Sequence, residues 1–221
     1  MIKKALISVW DKEGLLELAE FLFKNEIEIV STGGTANHLV ENGIPVTKIS
    51  KITGMDSVMD GRVKTLNPKI FGGILADRDN DNHLKDLNDL GAGTIDLIVV
   101  NLYPFMTEAV KKQLPMKKAI EYIDIGGPSM LRAAAKNYHS VCVLSDVSDY
   151  SDFIDKFDRV KKDIDLDWRK TSASKVFLRT SKYDSDIFDY FNKKSNDKLP
   201  MTHNISLIKK QDLRYGENPH Q

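Results

Sequence analysis

Five short polar elements carry the side chains that could hold an anion or move a proton. ISVWDK offers Ser8 and Lys12, and VSTGGTA offers Ser31, Thr32, Gly33, Gly34 and Thr35. Glycines let a turn aim its N–H groups at an anion, and hydroxyls at a helix start add donors. The same residues would also make a plain turn with Thr35 as an N-cap. In GRVKTLNP, Arg62 and Lys64 alternate with Val63, so an extended backbone puts both cations on one side. Arg can clasp a phosphate bidentately and Lys can act as a point charge or proton donor, although a solvated basic loop reads the same way. NLYPF places Asn101 and Tyr103 at the end of the most apolar run, where a tyrosine can equally be a half-buried packing residue. In DIGGPSMLRAAAKN, Asp124 precedes a Gly-Gly-Pro helix start, and Arg132 and Lys136 share a face at i, i+4. A carboxylate there can also be only a cap. Each element is ambiguous alone; their recurrence at strand exits is harder to dismiss.

The elements that must position these groups follow from the apolar pattern. Runs rich in Val and Ile at Ala5–Val9, Ile27–Val30, Val46–Ile49, Ile70–Leu75, Leu97–Leu102 and Val141–Leu144 read as strands buried on both faces. Helical patterns lie between them. One carries Leu15, Leu18, Ala19 and Leu22 after a possible Asp11 cap, one runs from Thr35 to Gly43, and one spans Pro128 to Tyr138. This alternation predicts right-handed βαβ units in an α/β fold, a three-layer α/β/α arrangement around a mostly parallel Rossmann-type sheet. Ligands then bind at the carboxyl ends of the strands. Trp168, Ala173, Val176, Phe177, Thr180, Tyr183, Ile187 and Phe191 recur at helical spacing, predicting a long C-terminal helical extension packed on the domain or on a second subunit. Ser195–Lys198 is polar and Pro200 follows, which marks a linker.

Composition narrows the function classes. A chain of 221 residues with 41% hydrophobic and 29% charged residues can bury a core, so disorder throughout is excluded. Its 32 basic and 32 acidic residues cancel, which lacks the bulk positive field of a nucleic-acid-coating protein. There is neither a long apolar stretch for a membrane span nor a signal peptide. One cysteine, Cys142, excludes an internal disulfide and fits a reducing cytoplasm. The five histidines lack zinc-ligand spacing, and neither a P-loop nor a dinucleotide fingerprint occurs.

Taken in order, ALISVWDK, STGGTA, GRVKTLNP, GGILA, NLYPF and DIGGPSMLRAAAKN resemble the IMP cyclohydrolase domain of bifunctional purine biosynthesis enzymes, which join that activity to an AICAR formyltransferase. The resemblance covers most of residues 4–145, and LRYGENPHQ at 213–221 looks like the opening of the formyltransferase domain. Three departures are visible: Trp10 stands where the family usually has Ser, and Asn67 and Phe71 stand where His is usual. The implied fold is methylglyoxal-synthase-like, with residues 1–197 forming the cyclohydrolase domain and 198–221 a linker and the first residues of the next. The implied reaction is closure of 5-formamido-imidazole-4-carboxamide ribotide (FAICAR) to inosine monophosphate (IMP) with loss of water, the last step of de novo purine biosynthesis. No metal or organic cofactor is expected; 10-formyltetrahydrofolate would serve only the formyltransferase part.

The resemblance carries catalytic roles to Lys64, Tyr103, Asp124 and Lys136. Asp124 would orient or deprotonate the amide, Lys136 and Tyr103 would stabilise and protonate the formyl oxygen, and Lys64 would assist proton transfer or charge balance. The phosphate is expected at Ser31–Thr35, aided by Ser8, Lys12 and Arg62. Thr65, Asn101 and the backbone of Ile125, Gly126 and Gly127 are expected at the base and ribose. Lys12, Arg62, Lys64, Arg132 and Lys136 would together form a basic cluster for one anionic ribotide. A cytoplasmic homodimer is implied, with neither nucleic acid nor membrane as partner. Three other readings stand beside this one: methylglyoxal synthase on the same fold, a regulatory module that binds a nucleotide without turnover, and an oligomerisation domain built on the long helix.

Overall fold

The computed structural model describes residues 1–159 and 164–192, and beyond them residues 202, 204, 205, 207 and 209–212. The expected linker at 195–198, the 197/198 domain boundary and LRYGENPHQ lie outside the described residues. The chain starts with β1 (Lys4–Val9), α1 (Leu15–Lys24), β2 (Glu28–Ser31), α2 (Gly33–Glu41), β3 (Thr47–Lys48) and α3 (Ile49–Thr53). A loop leads into α4 (Pro68–Leu75), α5 (Asp81–Asp89) and β4 (Leu97–Asn101). After a π-helical segment (Met106–Lys111), α6 (Met116–Ala119) and a 3-10 turn (Ile120–Tyr122) come α7 (Gly126–Lys136), β5 (Cys142–Leu144), α8 (Asp149–Arg159) and α9 (Leu166–Asn192).

The five strands form one parallel sheet in the order β3-β2-β1-β4-β5. Alternate residues serve opposite faces, as the pleat requires. Ala5, Ile7, Val9, Leu97, Val99 and Leu144 pack under Leu15, Leu18 and Leu22 of α1 and Phe153 and Phe157 of α8. Leu6, Val30, Ile98, Val100 and Val143 pack under Ile70 and Ile74 of α4, Met130 and Leu131 of α7, and Ala173 and Val176 of α9. Each fully buried aliphatic side chain contributes about 1.5–3 kcal/mol, so these two faces carry the fold. The three-layer expectation therefore holds. A third, smaller cluster joins Phe105, Ala109 and Ala119 to Tyr183 and Tyr190 at the far half of α9.

Several local expectations are corrected. Ile70–Leu75 is the body of α4, not a strand. Asn67 accepts from Lys69 N at 2.9 Å as its cap, Pro68 opens the first turn, and Ile70 and Ile74 fall on one helical face. Short apolar runs do not by themselves separate buried helix from strand. Asp11 does not cap α1, which starts after Gly14; its carboxylate instead accepts from Glu13 N. Thr35 is inside α2 rather than at its cap, which is Thr32. The strand expected at Val46–Ile49 shrinks to Thr47–Lys48, with Ile49 already opening α3.

Candidate active site

From β1 the chain builds outward through β2 and β3, then returns to place β4 on the other side of β1. The carboxyl ends of β1 and β4 therefore flank a topological switch point, where α/β sheets open a crevice. Asn101 ties the two exits together. Its Oδ1 accepts from Trp10 N at 2.7 Å and Asp11 N at 3.0 Å, and its Nδ2 donates to Asp11 O at 2.8 Å. Asn101 thus shapes the first loop from its own carboxamide. Lys12 curls back, its Nζ donating to Trp10 O at 3.2 Å. Ser8 is half-buried in β1, one strand position before that loop begins.

The STGGTA turn divides its polar groups between structure and opening. Ser31 is fully buried and donates to Ile7 O at 2.7 Å. Thr35 Oγ1 accepts from Val9 N at 3.1 Å and donates to Val9 O at 2.9 Å. The Ser31 hydroxyl thus ties β2 to β1 and the Thr35 hydroxyl ties α2 to β1, so both are engaged by the backbone of β1. What faces outward is backbone: the first-turn N–H groups of α2, with Gly33 at φ +54 and open space beside Gly34. A Cβ on Gly33 would stand 3.4 Å from Lys64 Nζ, so the cation and the turn are neighbours.

Lys64 reaches this position from a loop whose tip is a tight turn through Met59, Asp60 and Gly61, closed by an antiparallel bridge between Val58 and Val63. Arg62, beside that turn, pairs with Glu121 instead of with the Gly33 turn. Thr65 is buried against Gly126, where a Cβ would come within 2.8 Å of its Oγ1. Asp124 lies alongside. Its Oδ1 accepts from Gly127 N at 2.8 Å, and a Cβ on Gly127 would sit 2.3 Å from Oδ2. The Gly-Gly pair is thus what lets the carboxylate and Thr65 approach the start of α7, with Ile125 exposed between them.

Burial pushes the Asp124 carboxyl up from its ordinary value. The Gly127 amide, the Lys64 charge and the Tyr103 and Gly126 amides oppose that shift without cancelling it. The Tyr103 phenol is also raised, by burial first and by the Asp124 charge second. Tyr103 is consequently a protonated hydroxyl at neutral pH, a donor beside a carboxylate more basic than usual. Tyr183, which the sequence suggested only as part of a helix face, completes the group. Asp124 N donates to Tyr183 Oη at 2.8 Å, and that hydroxyl donates to Tyr122 O at 3.3 Å. Burial, ahead of the Asp124 and Asp184 charges, pushes this phenol up to about 12. The only sequence signal was a polar tip on a buried helical stripe.

Lys64, Tyr103, Asp124, Thr65 and the Gly33 turn are therefore brought together, but Lys136 is not. α7 starts at Gly126, just after Asp124, and runs antiparallel to the strands, so Lys136 lies about 15 Å further along the helix axis. Its neighbour Asn137 donates to Ile74 O and Ala76 O at the end of α4, on the amino edge of the sheet. Helix direction separates Lys136 from the other three within one chain. Arg132 also leaves the expected basic cluster, its guanidinium resting 5.5 Å from the Phe177 ring centroid on α9. Among the described residues, no group of His, Cys, Asp and Glu is arranged to hold a metal ion. Nor is any helix among them long and apolar enough to cross a membrane.

A parallel sheet with a glycine turn opening a helix at one strand exit, and a carboxylate–phenol–lysine group beside it, defines a domain of the α/β class. Residues 14–129, more than half of the chain, match the MGS-like domain, and the chain belongs to that family. Residues 134–221 match the family described as AICARFT/IMPCHase bienzyme. The chain is 51% identical over its whole length to the bifunctional purine biosynthesis protein PurH of Clostridium acetobutylicum, and 49% identical to that of Clostridium botulinum (strain Okra / Type B1). It spans 43% of the length of each of these relatives. Among solved structures, the crystal structure of ForH is similar at a TM-score of 0.77 and 31% identity, covering 86% of this chain and 97% of that one.

Proposed function

We propose that this chain is an IMP cyclohydrolase, closing FAICAR to IMP with loss of water. The observation that carries the reading is the grouping of Asp124, Lys64 and Tyr103 beside the Gly33 turn. The purine-biosynthesis relatives and the bienzyme family match support it. A carboxamide nitrogen is a poor nucleophile because its lone pair is delocalised. Asp124 takes one of its protons as it attacks the formyl carbon, forming the new C–N bond. The formyl oxygen gains charge and is met by Tyr103 Oη and Lys64 Nζ, and becomes a hydroxyl. That hydroxyl then leaves as water with the proton of the formamide nitrogen, giving the aromatic ring. The phosphate occupies the cradle at the start of α2, with Lys64 close by, and holds the ribotide so that the intramolecular attack needs one folded-back conformer.

The ring closure uses no metal or organic cofactor in this reading. The formyltransferase step and its 10-formyltetrahydrofolate belong to the further length of the longer relatives. A homodimer is part of the same proposal, checked by light scattering. The direct test is to incubate the chain with FAICAR and follow IMP absorbance. Turnover is expected; IMP binding without turnover would favour a regulatory nucleotide module instead.

Tyr183→Phe tests the support from α9. It leaves the Asp124 amide without its acceptor, so stability should fall by about 1–3 kcal/mol in a urea melt. Ring closure should fall by roughly tenfold through kcat, with IMP affinity nearly unchanged.

A further inference from the structure

Two large aromatic side chains stand exposed at the switch point, outside the three core clusters of the described residues. Trp10 is 40% exposed at the exit of β1, and Tyr103 is 39% exposed just beyond β4. Their rings lie against each other, centroids 4.6 Å apart and planes tilted by 45°. Neither is on a wandering loop. The Trp10 amide is held by Asn101 at 2.7 Å and its carbonyl by Lys12 Nζ at 3.2 Å, so the backbone beneath the indole is fixed from both sides. A paired aromatic surface held in one place and left open to water marks an interaction site, and a ring face is best covered by another flat ring. The acid–base group begins at the Tyr103 hydroxyl, so whatever lies on this wall lies beside Asp124.

We propose that Trp10 and Tyr103 form an aromatic wall that receives the flat heteroaromatic ring of the nucleotide, with Trp10 a specificity-determining residue for planar bases. This deepens the cyclohydrolase reading and rests on it. Stacking has no hydrogen-bond code, so the wall accepts both the open imidazole carboxamide and the closed purine. It holds the ring plane while the amide swings toward the formyl carbon. The phosphate cradle fixes one end of the ribotide and the wall fixes the other.

The chain has two tryptophans, Trp10 and Trp168. Trp168 packs on Phe153, and its Nε1 donates to Asp152 at 2.8 Å, away from the switch point. In a Trp168→Phe background, Trp10 is the sole indole. IMP should quench its emission, saturating at the Kd that calorimetry gives for the same protein. Trp10→Ala in that background should raise the FAICAR KM by about tenfold, the scale of one base–aromatic stack. Its kcat should stay within about twofold, and Trp10→Phe should recover most of the lost affinity. Calorimetric IMP binding with unchanged Trp10 emission and an unchanged KM in Trp10→Ala would overturn the wall and leave the cyclohydrolase reading standing. No calorimetric binding of IMP at all would overturn both.

Discussion

Replacing Asp124 with Asn is expected to slow FAICAR closure by about a thousandfold, within the range that one general base supplies, while IMP still binds. Asparagine keeps the volume and can still accept from the Gly127 amide, so the turn at the start of α7 survives. It cannot take a proton. The pH profile gives a second, independent readout. Burial raises the Asp124 carboxyl, so the wild-type rate should climb with pH through a value above the ordinary carboxylate range, as the base ionises. That acid limb should disappear from the residual activity of Asp124→Asn. Stability should move the opposite way. A folded-state pKa raised above the unfolded one, about 3.9 for Asp, contributes stability that is fully present below the unfolded pKa. It is lost as pH rises through the folded value. Denaturant melts across that window should show the loss in wild type and not in Asp124→Asn. A wild-type rate with no acid limb would remove Asp124 from the role of base.

Lys64→Ala is expected to raise the FAICAR KM and lower kcat together, reducing kcat/KM by roughly a thousandfold. The reason is position. Lys64 Nζ stands beside the Gly33 turn, the proposed phosphate site, and its charge also favours the ionised form of Asp124. Removing it takes away an anion contact and lets the carboxyl rise further, so the acid limb should shift to higher pH. The two effects separate experimentally. With inosine in place of IMP, the affinity gap between wild type and Lys64→Ala should nearly close, since no phosphate is left to lose. The displaced acid limb should remain. An affinity gap that persisted with inosine would place Lys64 away from the phosphate.

The site was legible in the sequence wherever residue type dictated geometry. Gly33 had to turn the chain at a strand exit, and Asp124 had to meet Gly126 and Gly127, because side chains there would collide with Thr65 and with the carboxylate itself. Direction and depth were not legible. Lys136 shares a contiguous motif with Asp124, yet eleven helical residues carry it to the opposite edge of the sheet. Ser31 and Thr35 have the chemistry of phosphate ligands, but both hydroxyls turn inward to hold β1. Arg62 alternates with Lys64 as an extended chain should, yet Glu121, 59 residues later, takes its charge. Tyr183 meets the amide of Asp124 across the same separation in sequence, a pairing that no local pattern encodes. Each miss depends on a contact made only after the layers assemble.

The far half of α9 therefore has a mechanical meaning. Tyr183 braces the amide of Asp124, and one helical stretch onward Tyr190 donates to Leu114 O and meets the Phe105 ring edge-on at 5.2 Å. The helix ends at Asn192, about 14 Å beyond Tyr183. A helix pinned at Tyr190 and again at Tyr183, beside the amide of Asp124, is a brace with two anchors. Local opening of the helix end at Asn192 should therefore first release the Tyr190 contacts, and only then loosen the amide of Asp124 through the Tyr183 hydroxyl.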